Sequence, residues 1–219
     1  MAPSVTLGYW AIRGLAAPAR LLLRVLNVPF EDVLYEQGDA PGFSRDAWLS
    51  VKHTLGLDFA NLPYLMDTAT GVKLSQSQAI LRYIARQYGA GSGVYEGTPA
   101  QLAAVDQAMD VVIDARQAMT RWAYTGSSAD EFFASTIAPH LAALEAYVQA
   151  HGQAFVVGPA LSLADFVCYE VLHALHVLSV EATGKDVLAA YAGLAGYLAR
   201  FQVRHWIVAR VKRARRVHL

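Results

Sequence analysis

Residues 5–35 read VTLGYWAIRGLAAPARLLLRVLNVPFEDVLY. Val5–Tyr9 is short and apolar, which predicts a strand. Ala11–Gly14 is a break. From there Leu15, Ala19, Leu22, Leu23 and Leu26 recur at helical spacing. Pro18 fits the first turn of that helix, where its missing N–H costs nothing. Pro29 closes the helix, and Phe30–Tyr35 predicts a second strand. Strand, helix, strand is the opening of an α/β domain.

Working outward, Gln37–Ser44 is rich in Gly, Asp and Pro and predicts a loop. Ala60–Met66 predicts a strand entered through Pro63, Gly71–Leu74 a short strand after a turn, and Ser77–Tyr88 a helix with Ile80, Leu81 and Ile84 on one face. The βαβ start and ββα finish give a small α/β domain over residues 1–89. Gly89–Gly97 is Gly-rich and predicts a linker. Residues 90–219 then predict an all-helical domain. Thr98-Pro99-Ala100-Gln101 has the N-cap, the proline and the returning Gln of a capping box. The helix it starts is expected to reach about Tyr124. A second helix is expected over Ala129–His151. Ser162-Leu-Ala-Asp165 predicts another capping box, with the Ser162 hydroxyl accepting from the third helical N–H and Asp165 reaching back. Leu161 and Phe166 stand where a hydrophobic staple would. Leu163–Val180 is apolar on every side and predicts the buried centre of the helical domain. Further helices are expected at Asp186–Arg200 and Arg204–Arg213.

Apolar residues make up 55% of the 219 and charged residues 16%, so disorder is excluded and a well-stocked core is available. Lys+Arg and Asp+Glu both number 18. That balance argues against nucleic acid as a partner and leaves little charge repulsion against self-association. The basic run Arg210-Val-Lys-Arg-Ala-Arg-Arg216 reads as a solvated helix end, with anionic lipid or nucleic acid as the alternative. Cys168 is the single cysteine, which excludes an internal disulfide. Its apolar surroundings point to a buried structural thiol, and a cytoplasmic location fits. No basic region followed by an apolar stretch opens the chain, and no uninterrupted apolar run reaches the roughly 18–20 residues that span a bilayer. The expectation is therefore no signal peptide and no membrane.

Several segments carry a resemblance. Leu7-Gly-Tyr-Trp-Ala-Ile-Arg-Gly-Leu15, Gly38-Asp-Ala-Pro41, Leu55-Gly-Leu-Asp-Phe-Ala-Asn-Leu-Pro-Tyr-Leu65 and Ser75-Gln-Ser-Gln-Ala-Ile-Leu-Arg-Tyr-Ile-Ala-Arg86 resemble mu-class cytosolic glutathione transferases. So do Gln107-Ala-Met-Asp110 and Ser162-Leu-Ala-Asp-Phe166. The matches run in order over residues 4 to 205. The resemblance implies a thioredoxin-like domain followed by an all-helical domain, in agreement with the pattern reading. It implies an enzyme that conjugates the glutathione thiolate to small hydrophobic electrophiles in detoxification. Glutathione is then a co-substrate, with no cofactor and no metal. Alternatives on the same fold are a non-catalytic binding protein for apolar ligands and a glutathione-dependent isomerase or peroxidase, since fold does not fix function.

The implied roles follow residue by residue. Tyr9 would donate its phenol O–H to the sulfur; the bland alternative is an ordinary core or interface tyrosine. Leu62 precedes a proline that in this fold follows a cis bond, and would pair with glutathione as an added strand. A trans proline opening an edge strand is the other reading. Gln76 and Ser77 would hold the γ-glutamyl end at a helix N-terminus, and Ser77 also reads as an N-cap. Arg45, Trp48 and Lys52, spaced by three and four, would share one side of a helix and face the glycyl carboxylate, against a solvated basic face. Trp10 and Asn61 match further contacts to the peptide. Asp110 matches a residue that reaches glutathione in the neighbouring subunit of a homodimer. Phe59 matches an aromatic key of such dimers, with a core Phe as the alternative. For the electrophile pocket, Ile12 and Leu15 suit an apolar wall. Thr120 stands where the family often has a second tyrosine, Tyr124 lies one turn on, and Arg116 is unusual there.

Overall fold

The computed structural model describes residues 3–39, 42–152 and 154–203. The segments Ala40-Pro41, Arg204–Arg213 and Arg210–Arg216, on which expectations were stated, fall partly or wholly outside these residues. The chain divides into two compact units, the first ending at Ala90 and the second beginning at Gly91.

The first unit holds a four-stranded sheet in the order β2-β1-β3-β4. β1 is Val5–Trp10, β2 Phe30–Tyr35, β3 Tyr64–Asp67 and β4 Val72–Ser75. β1 runs parallel to β2 and antiparallel to β3, and β3 antiparallel to β4. A 3₁₀ turn, Gly14–Ala16, and helix α1, Ala17–Val25, connect β1 to β2. The short α2 is Asp46–Leu49, and α3 is Ser77–Tyr88. This is the mixed sheet of a thioredoxin-like domain.

Strand alternation explains how both faces of the sheet are filled. Val5, Leu7 and Tyr9 point one way, together with Leu65 and Asp67. Leu7 and Leu65 are fully buried there, each such side chain contributing about 1.5–3 kcal/mol. Helix α3 covers this face, because the hydroxyls of Tyr83 and Tyr88 both donate to Asp67, and α1 packs on α3. The other face carries Gly8 and Tyr64, paired in register. The Tyr64 ring fills the space above Gly8, where a Cβ would lie 2.2 Å from its Cε1. Trp48 of α2 stacks on Tyr64, centroids 6.0 Å apart, and meets Tyr35 edge-on at 5.5 Å.

Helix α1 ends at Val25, four residues before Pro29. Asn27 takes a left-handed φ of +56°. Its N–H bonds to the Arg24 carbonyl and that of Val28 to the Leu23 carbonyl, which is a Schellman ending. The asparagine stops the helix and the proline only follows.

The second unit is helical. α4 is Pro99–Thr125, started by the expected capping box of Thr98 and Gln101. Where one helix was expected over Ala129–His151, there are three segments: α5 Ala129–Glu131, a π-helical turn Phe132–Ile137, and α6 Ala138–His151. Pro139 explains the break. It has no N–H to bond one turn back, and the ladder widens before it, with the Ala138 N–H reaching the Phe133 carbonyl. The wide turn buries Phe132 and Phe133, and Phe132 stacks on Trp122 of α4 at 4.8 Å.

α7, Leu163–Thr183, is the buried centre. By length and composition it could cross a membrane, but 67% of that apolar window is buried inside the protein. It starts with the expected capping box of Ser162 and Asp165, and further bonds reinforce it. The Ser162 hydroxyl donates to the Asp165 carboxylate, which also accepts from the Ser162 and Val156 N–H groups. Asp165 is fully buried, so its donors replace the water it loses. The region Asp186–Arg200 is likewise split, into a 3₁₀ turn Val187–Ala190 and α8 Ala192–Val203, because Asp186 caps the turn through the Leu188 N–H. The second half of the Gly-rich linker belongs to this unit: Val94 accepts from the Leu163 N–H, and the Tyr95 hydroxyl donates to Asp106.

Candidate active site

The sheet register gathers five of the expected site residues of the first unit at one end. Trp10 pairs with Tyr35, Gly8 with Tyr64, and Tyr64 with Ser75. The C-terminal ends of β1, β2 and β4 and the start of β3 therefore share an edge. Tyr9 and Trp10, then Leu62, then Gln76 and Ser77 all emerge there. Such a sheet end is where side chains and backbone are available to a ligand.

Tyr9 is 7% exposed. Its ring lies against Gly14, where a Cβ would stand 2.4 Å from Cε1 and 2.7 Å from the hydroxyl. Gly14 has a φ of +42°, so both its backbone and its missing side chain are required there. Trp10, Ile12 and Leu15 are half-buried around this turn.

The Leu62-Pro63 bond is cis. Leu62 is buried, and its N–H, expected to be available, is held by the Asn61 side-chain oxygen at 2.9 Å. Asn61 itself is exposed. A ligand that takes this N–H must displace the Asn61 amide.

Gln76, not Ser77, is the N-cap of α3. It has a φ of +73° and ψ of 109° and makes no capping bond with its side chain. A non-glycine residue in that region stores of the order of 1–3 kcal/mol, and such strain concentrates at ligand sites. The first turn of α3 thus presents N–H groups that no side chain caps, with Ser77 as its first residue. Sequence reasoning missed Gln78, the next residue. Both polar atoms of its amide are buried and have no hydrogen-bond partner in the structure. No sequence signal marks it, since the observation depends on burial.

Arg45, Trp48 and Lys52 do not share one side of a helix as expected. α2 is a single turn, with Arg45 as its exposed N-cap and Lys52 in the turns that follow. Trp48 is 5% exposed and occupied with the Tyr35 and Tyr64 rings. Arg45 and Lys52 still flank it, because the Arg45 carbonyl accepts from the Trp48 N–H and the Trp48 carbonyl from the Lys52 N–H. The alternating aromatic pattern of the strands favoured packing of this indole over a polar role.

Phe59 is 79% exposed, so it is not a core residue of the chain. In the second unit Asp110 is exposed on α4. Arg116, Thr120 and Tyr124 follow at helical spacing on the same helix. The Thr120 hydroxyl donates to the Arg116 carbonyl at 3.0 Å, and Tyr124 is 80% exposed. Cys168 is fully buried, and burial, followed by the charge of Asp165, pushes its thiol well above the ordinary value. Among the described residues no group of three or more His, Cys, Asp or Glu is placed to hold a metal ion.

Comparison with known proteins gives the family of the chain. Residues 5–86 match the N-terminal domain of glutathione S-transferases, and residues 113–212 match their C-terminal domain. A glutathione S-transferase of Tyrophagus putrescentiae is 42% identical, covering 84% of this chain and 81% of that protein. Glutathione S-transferase Mu 4 of Mus musculus is 37% identical over 96% of this chain and 92% of its own. Among solved structures, the glutathione S-transferase Blo t 8 is similar with a TM-score of 0.78 and 32% identity, covering 94% of this chain and 91% of that one. The pi-class glutathione S-transferase of Onchocerca volvulus has a TM-score of 0.82 and 25% identity, covering 98% and 96%. These names favour a transferase over the binding-protein and isomerase or peroxidase alternatives.

Proposed function

Because this chain belongs to the glutathione S-transferase family, resembles its mu class and is a transferase acting with glutathione, we propose that Tyr9 is the group that keeps the glutathione sulfur as a thiolate. The single observation that carries this reading is the burial of Tyr9 at the sheet end where Leu62 and the uncapped start of α3 also emerge. A free thiol of pKa ~8.5 is only a few per cent ionised at neutral pH. Lowering that pKa by about two units takes ~2.7 kcal/mol. A phenol O–H donated to an anion supplies ~1.5–3 kcal/mol, which is enough. The thiolate forms a bond to the electrophilic carbon, and the leaving group departs with the electron pair of the bond that breaks.

The rest of the glutathione site follows the chemistry of the tripeptide. Ser77 and the N–H groups opening α3 suit the γ-glutamyl carboxylate, with Gln76 beside them. Leu62 pairs with the peptide backbone, and Asn61 gives up its bond to Leu62 in exchange. Arg45 and Lys52 suit the glycyl carboxylate, with Trp48 and Trp10 holding the peptide's flank. Ile12 and Leu15 offer apolar surface to the electrophile. On α4 the Thr120 hydroxyl is already spent on the Arg116 carbonyl, so proton donation from this helix falls to Tyr124. Arg116 adds a preference for electrophiles carrying negative charge. We further read residues 1–89 as the glutathione-binding domain and 90–219 as the electrophile domain of a cytoplasmic homodimer working in detoxification, in which Asp110 reaches the partner's glutathione.

Assaying the recombinant protein with 1-chloro-2,4-dinitrobenzene and a panel of other electrophiles tests the activity. Thioether formation is expected with the aryl halide, and turnover of epoxides, which need an acid, is expected to depend on Tyr124. Glutathione binding without conjugation of any electrophile would overturn the reading.

A further inference from the structure

Arg20 stands out in α1. It is 4% exposed, the buried cation among the described residues. Its Nε lies 3.0 Å from both carboxylate oxygens of Asp32 in β2. Its Nη1 donates to the Ile12 carbonyl at 2.7 Å and reaches the Arg13 carbonyl at 3.5 Å, and Nη2 lies 3.5 Å from the Trp10 carbonyl. These acceptors belong to the loop that leaves Tyr9.

A buried guanidinium is costly to desolvate, and burying apolar groups in its place is often as stable. The neighbours Leu21, Leu22 and Leu23 already bury α1. What Arg20 adds is geometry: a planar fork that fixes a carboxylate and several carbonyls at once. The loop it clamps runs directly into Gly14, whose backbone lies against the Tyr9 ring and hydroxyl. The clamp and the phenol are thus joined by a single tight turn. A hydrogen bond weakens steeply with angle, and a shift of about 1 Å in a reacting group can cost roughly a hundredfold in rate.

We propose that Arg20, oriented by Asp32, is a positioning residue for the conjugation reaction, holding the Trp10–Gly14 loop so that the Tyr9 hydroxyl is aimed at the sulfur. This rests on the reading of Tyr9 as thiolate donor. Arg20→Lys keeps the charge, but one ammonium cannot span the carboxylate and the loop carbonyls.

The test is the pKa of enzyme-bound glutathione, followed by thiolate absorbance, in wild type, Arg20→Lys, Tyr9→Phe and the double variant. Arg20→Lys is expected to raise that pKa by about one unit and, through the smaller thiolate fraction, lower kcat/KM about threefold at pH 7, with KM for glutathione within about twofold. In the Tyr9→Phe background it is expected to add no further shift. A folded Arg20→Lys protein with the wild-type thiol pKa overturns the proposal, as does an equal shift in both backgrounds. Should Arg20→Lys not fold, Asp32→Asn, which keeps the guanidinium but frees it, is read by the same criteria. A Tyr9→Phe protein with unchanged thiol pKa fails differently: it sinks the reading of Tyr9 and this inference with it.

Discussion

At the scale of single residues, Gly14 is as constrained as Tyr9. Its φ of +42° disfavours any side chain, and an added methyl would collide with the Tyr9 ring. Gly14→Ala is expected to cost about 1 kcal/mol or more in stability. Activity should fall by a larger factor than the shift in unfolding midpoint accounts for, since the phenol is what must move. Retention of full kcat/KM in a folded Gly14→Ala protein contradicts the contact. Cys168 gives an opposite kind of prediction. Its thiol is fully buried and pushed far above the usual range by desolvation, so a disulfide reagent at neutral pH should leave it untouched until the protein unfolds. Rapid labelling of the native protein would show that the α7 core opens. The sequence pattern already pointed to a buried thiol here, as it did to Tyr9 at a strand end. It could not reveal that Gln76 adopts a positive φ, because glycine and, less often, asparagine announce one and glutamine does not, or that Arg20 reaches Asp32, because that pairing is made across the fold.

At the scale of elements, β3 is tied to α3 through one carboxylate. Asp67 is 1% exposed and accepts from the Tyr83 and Tyr88 hydroxyls and the Ala69 N–H. Burial alone would raise its pKa, but these donors outweigh it and hold it below the ordinary value. The Tyr88 phenol, desolvated and beside that charge, is pushed up to about 12 and stays a donor. A depressed carboxylate stabilises the fold fully above its unfolded pKa, about 3.9, and the contribution is lost as pH falls through the lower folded value. Asp67→Asn should therefore destabilise the protein by about 1.5–3 kcal/mol at neutral pH. That difference should shrink below about pH 4. A constant difference from neutral to strongly acid pH, in denaturant melts, contradicts the assignment. The bounds of β2 and α3 were legible because their apolar spacing is local. The π turn was not, since it depends on burying Phe132 and Phe133 beside Trp122. Nor was the single-turn length of α2, whose Trp48 is drawn inward by Tyr35 and Tyr64.

At the scale of the whole molecule, zero net charge and an exposed Phe59 are what a self-associating chain presents. A Phe exposed to 79% is costly in water, and burying one aromatic anchor in a partner is worth ~2 kcal/mol or more. Phe59→Ala is expected to weaken the proposed dimer by at least about tenfold in Kd by sedimentation equilibrium. A wild-type protein that is monomeric at micromolar concentration, or a variant that dimerises equally well, contradicts this. The order of elements, α/β and then all-helical, followed from periodicity alone, whereas the identity of the ligand came from the resemblance of several segments to a known family, which no periodicity carries.

The proposed stabilisation of the glutathione thiolate by Tyr9 is tested by titrating that thiolate through its ultraviolet absorbance in wild type and Tyr9→Phe. A bound-thiol pKa about two units below the free value of ~8.5 is expected in the wild type, returning most of the way to it in Tyr9→Phe. The same depressed pKa in both proteins would contradict it.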